Sequence, residues 1–266
     1  MSDAPRVLAL DFDGVLCDGR PEYFETARRA YRSVWPAAAD NADADLAERF
    51  AAARPLVESG WEMPVLLHAL LTGVSERELI DRHAWLPVAR RLVAEAGLDA
   101  ETLARALNAA RDAWFARDPE GWVRHHTFYP GVPARVLEAI AAGVDVAVVT
   151  TKAERFARAL LRAQDAQLAA LPIVGRDPER SVPKSETLSR LAQDHALSAG
   201  EGLWFVEDLL ETLVVVHATP RLDGVGLFLA SWGYNTLEHR AAAAAGGAIR
   251  VLSLAQFRGP FGSWRR

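Results

Sequence analysis

The sequence predicts an α/β protein: a parallel β-sheet core covered by helices, with a separate α-helical domain inserted after the first strand. Three observations carry this prediction. Short, nearly uninterrupted apolar runs alternate with stretches of helical length, the pattern of strands buried on both faces. About 130 residues separate the first apolar run from the second, far more than an ordinary crossover needs. That interval is helical in pattern nearly throughout.

In chain order, residues 7–10 form the first predicted strand. Apolar residues at helical spacing follow in 21–35, 44–53, 63–71, 76–96 and 100–115. Ser75 and Glu78 give a capping-box pattern at the fourth of these, and the Ala/Asp-rich stretch 37–45 reads as a loop leading into the second. Pro119, Gly121, Pro130 and Gly131 punctuate the return to the core. Strands are then predicted at 144–149, 203–206 and 225–230, with weaker ones at 171–174 and 249–252. Helices are predicted at 132–142, 153–164, 185–196, 209–218 and 236–245. The expected organisation is a sheet domain from residues 1–18 and 128–266 and a helical domain from 19–127.

Composition narrows the function. A net charge of −5 without any Lys/Arg cluster argues against nucleic acid or an anionic membrane surface as partner. A small anionic substrate needs only a local positive site. No apolar run approaches the roughly 18 residues of a membrane span, and the N-terminus has no signal-peptide pattern. The single cysteine, Cys17, cannot form an intramolecular disulfide. The expectation is a cytoplasmic protein. Of 30 basic residues only Lys152 and Lys184 are lysines, a skew that codon bias explains but that makes both positions worth locating.

The chemistry is concentrated at predicted strand ends, where open parallel sheets bind ligands. Asp11-Phe12-Asp13-Gly14-Val15 follows the first strand. Residues two apart in extended chain project the same way, so Asp11 and Asp13 can face one substrate while Gly14 lets the backbone turn. Neighbouring carboxylates repel unless a cation separates them, and oxygen donors favour Mg²⁺. Thr150-Thr151-Lys152 ends a second strand, where hydroxyls and N–H groups at a helix start can hold a phosphate oxygen. Glu207-Asp208 ends a third strand, and Lys184 precedes a helix between the two.

These four features, in this order, resemble the motifs of the haloacid dehalogenase superfamily. Phe128-Tyr129-Pro130-Gly131-Val132 and Ser231-Trp232-Gly233-Tyr234 are similar to its phosphoglycolate-phosphatase-like members, and the helical insertion resembles their C1-type cap. The resemblance implies a Rossmann-like core and a Mg²⁺-dependent phosphatase acting on a small phosphorylated metabolite. It implies Asp11 as nucleophile, Asp13 as general acid/base, and Thr150, Thr151 and Lys184 as phosphoryl-binding groups. Mg²⁺ would sit on Asp11, Asp13 (through its carbonyl), Asp208 and Glu207. In place of the family's Gly-Asp the chain has Glu207-Asp208, with Glu211 beyond. The direct metal contact is therefore shared among three alternatives, Asp208 first.

Asp13 argues against a dehalogenase, which needs no acid for its leaving group. The absence of lysine from 19–127 argues against phosphonate cleavage through a Schiff base. A phosphomutase shares the core motifs and stands as the alternative, followed by a catalytically idle phosphate-binding module. Arg54, within the Pro/Gly-broken segment 54–63 that also holds Glu58, Trp61 and Glu62, is the candidate substrate contact of the insertion. Arg20 and Glu22 are further candidates near the hinge. Monomer and homodimer are both compatible with the sequence.

Overall fold

The computed structural model describes residues 4–36, 44–174 and 182–264. Most of the stretch read as a loop at 37–45 therefore lies outside the described residues. Strands are β1 (Val7–Leu10), β2 (Cys17–Asp18), β3 (Thr127–Phe128), β4 (Asp145–Val149), β5 (Ile173–Val174), β6 (Leu203–Glu207), β7 (Gly226–Ala230) and β8 (Ile249–Leu252). Six of them form a parallel sheet in the order β5-β4-β1-β6-β7-β8, and β2 pairs antiparallel with β3. Leu10 is in register with Val148 on one side and Val206 on the other, so the ends of β1, β4 and β6 are level. That register, between strands that are apolar apart from Asp145 at the start of β4 and Glu207 at the end of β6, is what assembles the site.

The chain forms two compact units: Met1–Asp18 with Thr127–Arg266, and Gly19–His126. Within the second unit the helices are α1 (Arg20–Val34), α2 (Ala44–Ala53), α3 (Glu62–Thr72), α4 (Arg82–Glu95), α5 (Ala100–Arg117) and α6 (Pro119–Arg124). Helix α1 buries Tyr23, Ala27, Ala30 and Tyr31, one helical stripe, in a unit where α3 and α5 are its neighbours. Two buried carboxylates tie the helices together. Glu22 on α1 accepts from Thr26 Oγ1 (2.5 Å), Arg111 Nε (2.8 Å) and Trp122 Nε1 (3.3 Å). Glu62 on α3 pairs with the Arg82 guanidinium and accepts from Trp85 Nε1 (2.8 Å) and Ser59 N (2.9 Å). Buried charge is tolerated only when paired in this way. Glu22, a candidate near the hinge by sequence, and Glu62, from the segment 54–63, thus both serve the interior of their own unit.

Two readings of this segment change. The predicted helix 76–96 is broken: a 3-10 turn at Glu76–Leu79 stops before Asp81, whose side chain accepts from Ala84 N (2.8 Å) and starts α4 anew. Pro119 and Gly121, read as punctuation, belong to α6 instead. Asp118 caps it by accepting from Gly121 N (2.8 Å), and Pro119 stands in the first turn, where its missing N–H is not needed.

In the sheet unit the helices are α7 (Val132–Ala141), α8 (Glu154–Gln164), α9 (Lys184–Asp194), α10 (Leu210–His217), α11 (Leu237–Gly246) and α12 (Leu254–Phe257). Leu188 and Ala192 of α9, Leu213 and Val216 of α10 and Ala243 of α11 share one core with Val7, Ala9, Leu203, Phe205, Leu227 and Leu229. Those strand residues alternate by two, so a single face of the sheet is covered by these three helices. Trp204, between them in sequence, packs instead with Phe228, Phe261 and Trp264 at centroid distances of 5.0–5.6 Å. Among the described residues no helix is long and apolar enough to cross a membrane.

Candidate active site

Asp11 follows β1 directly and remains tied to the sheet, its N–H donating to Val206 O (2.9 Å). The chain then makes a tight loop: Gly14 N donates to Cys17 O, and Leu16 N and Cys17 N both donate to Phe12 O. Gly14 has φ +83°, and a Cβ there would lie 2.0 Å from Asp208 Oδ2. Only glycine satisfies both the conformation and the space. Gly233 is constrained by the same neighbour, since its Cβ would meet Asp208 Cβ at 2.3 Å. Cys17 is buried, and burial together with nearby Asp13 pushes its thiol well above the ordinary range, which makes it an inert packed group.

Lys184, the first residue of α9, bridges two carboxylates. Its Nζ is 2.8 Å from Asp11 Oδ1 and 2.6 Å from Glu207 Oε2. Glu207 Oε1 accepts from the N–H groups of Asp208 (3.2 Å) and Leu209 (3.1 Å). One oxygen of Glu207 thus orients the lysine and the other holds the start of α10. Asp208 Oδ2 accepts from Tyr234 N (2.6 Å), and Asp208 O accepts from Asn235 Nδ2 (3.0 Å). Asn235 is itself fixed by donating to Ala230 O (2.8 Å) and accepting from Arg240 Nε (2.8 Å). Buried Thr150, at the end of β4, accepts from Lys152 N through Oγ1 (3.1 Å). Lys152 reaches back with Nζ 3.3 Å from Asp13 Oδ1.

Electrostatics single out Asp11. Burial, then the charge of Glu207, raise its carboxyl from 3.8 to about 7 despite Lys184. Burial also raises Glu207. Burial opposes the charge on Lys184, but Asp11 and Glu207 outweigh it, so the ammonium is held more firmly than usual. Carboxylate oxygens of Asp11, Glu207 and Asp208 lie within 4.8 Å of one another, all three buried. Three carboxylates against one ammonium leave a buried excess of negative charge. An all-oxygen donor set carrying that excess fits a hard divalent cation.

Of the residues expected from sequence, Asp11, Lys184, Glu207 and Asp208 are in mutual proximity, with Asp13 two residues on and Thr150 on the adjacent strand end. Thr151 is exposed. Glu211 is on α10 with its carboxylate 3.7 Å from His239 Nε2, a contact that does not involve the cluster. Arg54 is in the helical unit, where Nη1 donates to Val57 O (2.6 Å) and the guanidinium lies over Tyr23 at 5.1 Å. Sequence reading did not assign Lys152 or Asn235. For Lys152 a signal existed in the scarcity of lysine. For Asn235 the only hint was its place beside Ser231-Trp232-Gly233-Tyr234.

Asn235→Ala should remove three side-chain hydrogen bonds, one of them to Asp208 O and the others with Ala230 O and Arg240 Nε, at a cost of about 2–3 kcal/mol in urea unfolding. It should also weaken binding of a divalent cation at the acidic cluster, because the backbone carbonyl of Asp208 then loses its hydrogen bond. An unchanged cation concentration for half-maximal thermal stabilisation would separate this asparagine from the cluster.

Comparison with known proteins follows the same lines. The family model of the haloacid dehalogenase-like hydrolases matches residues 5–211. No curated protein matches. Among solved structures, a predicted phosphatase from Clostridium acetobutylicum is similar with a TM-score of 0.61 at 14% identity, covering 96% of this chain and 97% of that one. A predicted phosphoglycolate phosphatase from Haemophilus somnus gives a TM-score of 0.58 at 16% identity over 88% of each chain. A provisionally assigned β-phosphoglucomutase from Thermotoga maritima gives 0.54 at 18% identity over 95% of this chain and 96% of that one. At such identities the likeness is one of fold.

Proposed function

The chain belongs to the haloacid dehalogenase-like hydrolases, and from that premise we propose that it is a Mg²⁺-dependent phosphatase of a small phosphorylated metabolite, working through an aspartyl-phosphate. The observation that carries this reading is Asp11, a buried carboxylate held by Lys184 beside Asp208 at the end of the central strand.

Asp11 attacks phosphorus in line with the ester oxygen; the new O–P bond forms as the ester P–O bond breaks. Asp13 gives its proton to the departing oxygen, which leaves as an alcohol. The Asp13 carboxylate then takes a proton from water as that water attacks the aspartyl-phosphate. The step releases phosphate and restores both side chains. Lys184 and the Thr150 hydroxyl donate to phosphoryl oxygens, with the N–H of Thr151 as a third donor. Asp11, Asp208 and the backbone carbonyl of Asp13 would hold Mg²⁺, with Glu207 next to them. When bound, the ion offsets the repulsion between a carboxylate nucleophile and a phosphate dianion. Arg54 is proposed as a substrate contact from the helical unit, which would act as a cap. We place the enzyme in the cytoplasm, as monomer or homodimer.

The fold likeness to the Thermotoga maritima protein supports a second reading, a phosphomutase, in which the aspartyl-phosphate is passed to a second hydroxyl rather than to water. A panel of phosphorylated metabolites, assayed for both free phosphate and isomerised phosphoester, separates the two. Free phosphate from one member, silenced by EDTA and recovered with Mg²⁺, is the expected result. Full activity in EDTA would contradict the metal, and no turnover of any member, p-nitrophenyl phosphate included, would favour an idle module. Mg²⁺ should also raise the melting temperature, because it binds only the folded cluster.

A further inference from the structure

The two lysines of this chain end on the two aspartates of Asp11-Phe12-Asp13: Lys184 on Asp11 and Lys152 on Asp13. The first pairing is absorbed by the mechanism above; the second is not. We propose that Lys152 is a positioning residue for Asp13, holding the acid's carboxyl where it meets the leaving oxygen. This inference rests on the phosphatase reading and adds to it.

Lys152 is 8% exposed, so its ammonium sits largely out of water, a costly place unless it has a definite partner. Its Nζ lies 3.3 Å from Asp13 Oδ1, and its backbone N–H donates to Thr150 Oγ1. One residue therefore links the phosphoryl-binding end of β4 to the acid after β1. Asp13 itself stands on the tight loop beside Gly14, where the backbone alone does not choose its side-chain rotamer. An acid must come within about 2.6–3.2 Å of the oxygen it protonates. A misplacement of about 1 Å costs on the order of 10²-fold. The 28 other basic residues are all arginine, and a planar guanidinium is a poor substitute in this buried space.

The prediction is selective. Departure of an alkoxide needs the proton from Asp13, whereas p-nitrophenolate leaves without it. The parameter to read is kcat/KM, which reports steps only through formation of the aspartyl-phosphate. In Lys152→Met, kcat/KM for an alkyl phosphate of the panel should fall at least about 10-fold further than for p-nitrophenyl phosphate. Lys152→Arg should recover part of that difference. In an Asp13→Asn background, Lys152→Met should add no further discrimination, because the group it positions is gone. Melting temperature with Mg²⁺ checks the fold of each variant, and Lys152→Gln replaces Lys152→Met if the latter does not fold.

Equal losses on both substrates, or a selective loss that persists in Asp13→Asn, would overturn the inference and assign Lys152 to general phosphate binding or to the fold. No loss would overturn it as well. If the parent protein releases phosphate from neither substrate, the phosphatase reading has failed and this inference falls with it; an active parent with an unselective variant counts against Lys152 alone.

Discussion

Asp11→Asn is expected to lower Mg²⁺-dependent phosphate release by at least about 10⁴-fold, the scale on which removal of a covalent nucleophile falls. The amide keeps the shape of the carboxylate but cannot accept the phosphoryl group. Folding should survive, because the substitution removes one of three crowded buried carboxylates while Lys184 keeps Glu207 as a partner. The pH dependence gives an independent signature. Burial raises the Asp11 carboxyl from 3.8 to about 7, so the folded state resists its ionisation. The sign follows from linkage: stability from this group is complete below its ordinary value and is lost as pH rises toward 7. In EDTA the melting temperature of the parent should therefore fall between pH 4 and pH 7 more than that of Asp11→Asn. Phosphate release retained within about 10-fold would remove Asp11 as nucleophile.

Lys184→Met is the second large effect and acts on stability as well as rate. With the ammonium gone, Asp11 and Glu207 face each other with no counter-charge, and breaking a buried pair from one side costs about 3–5 kcal/mol. Protonation limits that loss. Both carboxyls are already raised by burial, so in EDTA the destabilisation should be smaller at pH 5 than at pH 8. Adding Glu207→Gln should recover part of the stability, since it removes one of the two stranded charges. It should not recover activity, which we expect to drop on the order of 10³-fold for loss of a charged phosphoryl donor. Urea unfolding of the two single variants and the double variant measures the coupling. A Lys184→Met protein as stable as its parent at pH 8 would mean that Lys184 does not neutralise this cluster.

How much of this was legible beforehand differs from residue to residue. The inner strands of the sheet were legible because fully buried strands in a parallel sheet have no polar face, as at 7–10, which matches β1 to the residue; 249–252 matches β8 as closely, although Arg250 on this edge strand is exposed. Helix α6 was not, although its Asp118-Pro119 start carries an ordinary capping signal, because the glycine that follows reads equally well as a turn. The break before α4 was missed for a related reason. Apolar spacing continues across Asp81, and only the hydrogen bond from Ala84 N to its side chain marks a new start. In the candidate site, Asp11, Asp13, Thr150, Lys184 and Asp208 could be singled out because each stands near the end of a strand or the start of a helix, where local pattern points to ligand chemistry.

The sequence by itself determined the alternation of strand and helix, the place of the insertion, and the residues with reactive groups at the strand ends. Each of those is written in spacing over a few residues, and spacing is what hydrophobic periodicity encodes. Tertiary structure alone decided which charge meets which: Lys184 between Asp11 and Glu207, Lys152 on Asp13, Tyr234 N and Asn235 on Asp208, and Glu22 and Glu62 turned inward. These partners are far apart in the chain, by 20 residues for Arg82 and Glu62 and by 100 for Trp122 and Glu22. Electrostatic pairing falls off over a few ångströms of space and is blind to distance along the chain. Until the parallel register brought β1, β4 and β6 level, nothing in the order of residues specified those ångströms.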